Sequence, residues 1–256
     1  MSDPILEARN LSRTFGEFVA VDQVDFTLYP GEIVGFLGPN GAGKTTTIKM
    51  LTGLLGPSTG TARVAGFDMA QSPLEAKARI GYVPDTPNLY GKLKAQEYLR
   101  FVGQLYKVPS AQVEARIRPM LDLFDLTDVA GNYLDTFSHG MQQKVAIIGA
   151  FLHDPQIVFM DEPTVGLDPR SARLIKDLMI RHRDGGGTIF FSTHILEIAQ
   201  TMCDRVIIIN KGRIVADAQV SEMRRMRGDQ SLEDIFLELT GGRDVDELVK
   251  ELEDGD

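Results

Sequence analysis

The chain has 256 residues, 43% of them hydrophobic and 25% charged, which suits one large α/β domain or two small ones around a real core. Its net charge of −9 argues against a nucleic-acid-binding face. A single cysteine, Cys203, excludes an internal disulfide framework and a cysteine-based zinc site, and beside Asp204 it reads as core filler.

Residues 4–30 alternate and end in Tyr29-Pro30-Gly31, as strands of a small antiparallel sheet would. The start, MSDPILEARN, lacks the basic residues and apolar stretch of a signal peptide. Ile33 to Leu37 is apolar and short enough to be a buried strand. The next nine residues, Gly38, Pro39, Asn40, Gly41, Ala42, Gly43, Lys44, Thr45 and Thr46, match G-x-x-x-x-G-K-[ST], and Thr46 to Leu55 has helical character. Strand, glycine loop and helix in that order form a phosphate cradle. Gly38, Gly41 and Gly43 let the backbone curl with its N–H groups inward, and the helix start adds a positive dipole end. Lys44 can reach β- and γ-phosphates, and the Thr45 hydroxyl can ligand Mg²⁺.

Further along, residues 60–68 read as a short strand, and Ser72-Pro73 opens a helix with serine at the cap. Residues 94–106 and 110–125 read as helices. Val113, Ile117, Leu121 and Phe124 form the apolar face of the second, and Pro119 is a candidate kink. Another helix spans about Met141 to His153. Strand-like runs follow at Gln156 to Met160, Thr188 to Ser192 and Arg205 to Asn210. Asp168 caps a helix that Gly185-Gly186-Gly187 ends, and residues 209–216 form a hairpin turning at Asn210-Lys211-Gly212. Buried strands alternating with helices predict a parallel, doubly wound sheet. The longest apolar run, Val145 to Leu152, has eight residues, against roughly 20 for a membrane span.

The tail from Ser221 carries 12 acidic and 5 basic residues. Leu232, Ile235, Phe236 and Leu239 form one helical stripe, and Val245, Leu248, Val249 and Leu252 another. The plain reading is two helices packed on the body; the alternative is a docking or regulatory element.

The run Gln156 to Met160 delivers Asp161 and Glu162 at its C-terminal end, the edge where open α/β sheets bind ligands. Asp161 is placed to hold Mg²⁺, and Glu162 to orient or deprotonate a water attacking the γ-phosphate.

With these carboxylates in hand, residues 4 to about 220 resemble the nucleotide-binding domain of the ATP-binding cassette (ABC) family. The resemblance rests on ordered motifs. Phe15 stands where the family has an aromatic that stacks on adenine, and Val21 where an aliphatic packs near the base. Phe137-Ser138-His139-Gly140-Met141-Gln142-Gln143 takes the place of the signature usually read LSGGQ. Gly166-Leu167-Asp168 matches the loop after the carboxylates, and Thr193-His194 the histidine that contacts the γ-phosphate. The chain departs from the pattern at Asp85, usually a glutamine sensing Mg²⁺ and the attacking water, and at His139 and Met141 within the signature.

The resemblance implies an α/β phosphate-loop core over residues 1–220. It adds an antiparallel β-subdomain from parts of 1–70, a helical subdomain at about 86–150, and the acidic helical tail 221–256. It implies an ATP hydrolase using ATP and Mg²⁺, with Lys44, Glu162 and His194 catalytic, and Thr45, Asp161 and Asp85 at the metal. The phosphate loop, Phe15, Val21, Ser138, Gly140, Met141 and Asp168 would bind nucleotide. Two such domains, identical or not, would face head to tail, the signature of each closing the other's site. Separate transmembrane permease subunits would dock on residues 88–125, placing the chain on the cytoplasmic face of the cell membrane. The stretch Ser231 to Thr240 resembles tails of exporter-type subunits. The alternatives are a soluble ABC ATPase serving assembly or regulation, and a nucleotide-binding module that hydrolyses little, which Glu162 and His194 argue against.

Overall fold

A computed structural model describes residues 3–226 and 232–241. The first strands, β1 (Leu6–Phe15) and β2 (Phe18–Leu28), pair as a hairpin, and β4 (Thr59–Val64) and β5 (Phe67–Asp68) complete a four-stranded antiparallel sheet in the order β2-β1-β4-β5. The second sheet has six strands. It is built on β3 (Ile33–Leu37), β6 (Ile80–Val83), β7 (Ile157–Asp161), β8 (Thr188–Thr193), β9 (Arg205–Asn210) and β10 (Arg213–Gln219). Their order is β10-β9-β3-β8-β7-β6, parallel except for the β9–β10 hairpin at the edge.

The parallel strands are apolar along their middles because both their faces are covered. On one face Val34, Phe36, Ile157, Phe159, Phe190 and Ile207 pack against the antiparallel sheet and α1 (Lys44–Leu51). Aromatic stacking fixes that layer, with Phe36 and Phe190 centroids 5.2 Å apart and Phe26 5.6 Å from Phe190. On the other face Ile33, Leu37, Val158, Met160, Ile189, Phe191, Val206 and Ile208 meet the helices. Each such buried Phe or Ile contributes about 1.5–3 kcal/mol relative to exposure.

The helical region holds α3 (Ala95–Leu105), α4 (Ser110–Leu123) and α5 (His139–Phe151), after the short α2 (Pro73–Lys77). The expected face of Val113, Ile117, Leu121 and Phe124 is buried. Helix α4 runs on through Pro119, and Ser72 precedes α2 without a side-chain capping bond. Asp168 does cap α6 (Pro169–Asp184), and α7 (Leu196–Met202) follows β8. Cys203 is buried, its thiol filling the space a side chain at Gly35 would need (2.8 Å to an ideal Cβ).

After α8 (Val220–Met226), α9 (Leu232–Thr240) packs on α7 with Leu232 and Ile235 buried, and Thr240 carbonyl accepts from Asn210 Nδ2 at 3.3 Å. The expected stripe from Val245 to Leu252 lies outside the described residues.

Candidate active site

The C-terminal ends of β3, β7 and β8 converge on one edge of the parallel sheet, and the chemistry gathers there. After β3 the chain passes so close to β9 that a Cβ at Gly38 would sit 2.4 Å from the Ile209 carbonyl oxygen. At Gly43 φ is +109°, and a Cβ would meet the Ala20 carbonyl oxygen at 2.6 Å. Glycine is required at both places, and the turn aims the first N–H groups of α1 outward into the cleft. Lys44 folds back over the loop, its Nζ donating to Gly38 O at 2.8 Å and Pro39 O at 3.3 Å. Burial pushes its pKa down, while Glu162 and Asp161 oppose that.

Asp161 ends β7 and is fully buried. Its Oδ1 accepts from Ser192 Oγ at 2.5 Å, while Oδ2 is buried without a hydrogen bond. Burial raises the pKa of this carboxyl; Ser192 and the neighbouring Thr45 hydroxyl pull it back. An ionised oxygen buried this way is a strong donor to a cation. Among the described residues no group of three or more His, Cys, Asp or Glu side chains forms a metal cage. A cation at Asp161 would therefore complete its shell with phosphate and water oxygens, as Mg²⁺ commonly does.

Glu162 adopts φ +49°, a left-handed conformation that costs a non-glycine residue about 1–2 kcal/mol. Its N–H donates to Ser192 O at 3.2 Å and to Ser192 Oγ at 3.0 Å, which holds the turn. The side chain stands between two partners, with His194 Nδ1 3.0 Å from Oε2 and Lys44 Nζ 3.8 Å from Oε1. A carboxylate only accepts, so Nδ1 of His194 is the donor in this pair.

Lys44 and Glu162 border a cleft of about 360 Å³ that is also lined by Phe18, Ala20, Asn40, Gly41, Gly43, Thr45, Thr46 and Asp85. Asp85 is exposed at the rim, its Oδ1 accepting from Thr86 N at 2.8 Å. Phe15 is exposed at the tip of the β1–β2 hairpin. Val21 is fully buried beside Gly43, and Ala20, one residue earlier, is among the residues around the cleft. Asp168 is committed to its own helix, accepting from Ser171 N at 2.9 Å and Ser171 Oγ at 2.5 Å, which lowers its pKa to about 2.

Ser138, Gly140 and Met141 do not line the cleft. They open α5, where Ser138 Oγ accepts from Met141 N at 3.3 Å and no acidic residue compensates the helix start. A side chain at Gly140 would make only ordinary contacts within this chain, 3.5 Å to Leu167.

Sequence reading missed Ser192, which touches both Asp161 and Glu162. Its only signal is a hydroxyl in an apolar strand, and its role comes from register, with Ser192 opposite Asp161.

The family described as ABC transporter matches residues 21–165. ABC transporter ATP-binding protein NatA of Bacillus subtilis (strain 168) is 39% identical over 219 residues, 85% of this chain and 89% of the relative. The Nod factor export ATP-binding protein I of Cupriavidus metallidurans is 36% identical over 86% of this chain and 72% of its own. A solved structure of the ATP-binding subunit of an ABC transporter superposes with a TM-score of 0.88 at 36% identity, covering 92% of this chain and 99% of that one. A phosphate loop, a buried carboxylate and Glu162 lie together on one sheet edge, and the chain belongs to the ABC transporter family, as an ATP-binding, ATP-hydrolysing protein of such transporters.

Proposed function

We propose that the chain binds ATP with Mg²⁺, pairs with a second ABC ATPase domain around the nucleotide, and drives separate transmembrane subunits, in the export direction. The carrying observation is a division of labour. One cleft gathers Lys44, Thr45, Asp85 and Glu162, with Asp161 and His194 behind, while the α5 start with Ser138, Gly140 and Met141 stands outside it. Nothing among the described residues demands a glycine at 140, where glycine in a helix costs about 0.5–1 kcal/mol relative to alanine. Close approach by a second molecule supplies that demand. Its γ-phosphate would meet the free N–H groups and positive end of α5.

Within one site, phosphates compete with the Gly38 and Pro39 carbonyls for the Lys44 ammonium. Thr45 and Asp161 would hold Mg²⁺, with Asp85 at the rim; the metal neutralises phosphate charge when bound. Glu162 accepts the proton of an attacking water, and His194 holds the carboxylate in place. Phe15 stacks on adenine.

The transmembrane partner would seat on a groove of about 740 Å³ between the helical region and the core, lined by Leu54, Tyr90, Phe101 and Leu105, all exposed. No helix among the described residues is long and apolar enough to cross a membrane, so the spanning segments would come from another chain at the cytoplasmic face of the cell membrane. Export follows the relative named for Nod factor export and the Ser231 to Thr240 tail. The test is capture from detergent extract with the Glu162→Gln protein in ATP. Co-purification of an integral membrane protein is expected. A monomer in ATP on size exclusion would overturn the paired site.

A further inference from the structure

We infer that Phe18 is a second aromatic contact of the bound nucleotide, beside Phe15, on its base and ribose side; this rests on the ATP reading of the cleft. Phe15 and Phe18 are directly paired across the β1–β2 hairpin, separated only by Gly16 and Glu17, so their side chains leave the same face of the ribbon. Arg13 lies two residues before Phe15 and shares that face, its guanidinium carbon 4.6 Å from the Phe15 ring centroid. Arg13 is anchored in turn by Nη1 to Gly56 O at 2.8 Å. One side of the Phe15 ring is therefore occupied by a fixed cation, and only the other side is open to a base.

Phe18 completes the wall. It is 64% exposed, yet it borders the phosphate cleft with Ala20, Asn40, Gly41 and Thr46. A solvent-facing aromatic in the same cleft as a lysine has the two things a nucleotide's inner half needs: an apolar face, and charge for the phosphates. Stacking reads the π-face of a base and not its edges, so ATP and GTP should lean on Phe18 alike.

The chain contains no tryptophan, so Phe18→Trp installs a single fluorescent reporter. The experiment measures binding of MgATP, MgGTP and inorganic tripolyphosphate to the full chain and to Phe18→Ala and Phe18→Trp. Loss of one base stack corresponds to roughly 5- to 100-fold in affinity, and about tenfold weaker ATP binding by Phe18→Ala is expected. Tripolyphosphate binding should be unmoved, and the tryptophan emission should change with ATP and not with tripolyphosphate. Unchanged ATP affinity, or equal weakening towards tripolyphosphate, would overturn the inference. Altered pairing of two copies with ATP affinity intact would overturn it too, and would give the ring to the interface between copies. If the unsubstituted chain binds no ATP, the reading of the cleft fails, a result distinct from a silent Phe18.

Discussion

The chain has two helix starts fit for an anion, and their surroundings are opposite. The start of α1 is enclosed: Gly43 is pressed against Ala20, Lys44 covers the loop, and Asp161 and Glu162 stand across from it. The start of α5 is capped by Ser138 and has no acidic residue in its first turn. On the proposed reading the same backbone device serves once as a receptacle and once as a lid. A receptacle must hold charge before the ligand arrives and pays for it in buried, half-satisfied groups. A lid needs only free donors and room.

Breaking the receptacle should give the largest effect. Glu162→Gln keeps the shape and removes the base, so hydrolysis should fall by about 10²-fold or more. ATP binding should persist, as phosphate release and equilibrium binding would show; undiminished turnover would remove Glu162 from its role. Breaking the lid should separate folding from turnover. Gly140→Ala has room in this chain, so the melting temperature should hold or rise. Displacing the lid from a γ-phosphate should still cost turnover as much as about 10²-fold, since a 1 Å misplacement carries that penalty. Equal turnover would show that α5 does not close a site. At the rim, Asp85→Ala should lower turnover about tenfold while ATP binding persists; unchanged turnover would sink the role of Asp85.

The receptacle was legible in sequence because its parts are local. The strand–loop–helix pattern, the carboxylates ending an apolar run, and His194 after another strand sit where the chain order placed them. The sheet's apolar strands were legible for the same reason. What escaped depends on register across strands. Ser192 acts on Asp161 only because β7 and β8 align them. Pro119 lies inside α4, which spans it, with Val113, Ile117 and Leu121 buried along one face.

The smallest effect tests what the receptacle costs the protein without ligand. Asp161 has a raised pKa, so the folded chain holds that proton more tightly than the unfolded chain does. Its contribution to stability is therefore greatest below the ordinary carboxylate value of 3.8 and declines as pH rises through the folded value. Where the carboxyl is ionised, its buried Oδ2, which has no hydrogen bond, is a burden on the empty protein. Asp161→Asn removes the charge at nearly constant volume and keeps an acceptor for Ser192. The nucleotide-free variant should gain about 1 kcal/mol, or roughly 2–4 °C in melting temperature, with the gain shrinking as the pH is lowered towards 4. The parent should recover the difference when MgATP is added and the variant should not. A variant that melts lower than its parent at pH 7 would mean that the Asp161 charge is already satisfied inside the chain, and that the receptacle costs nothing to keep ready.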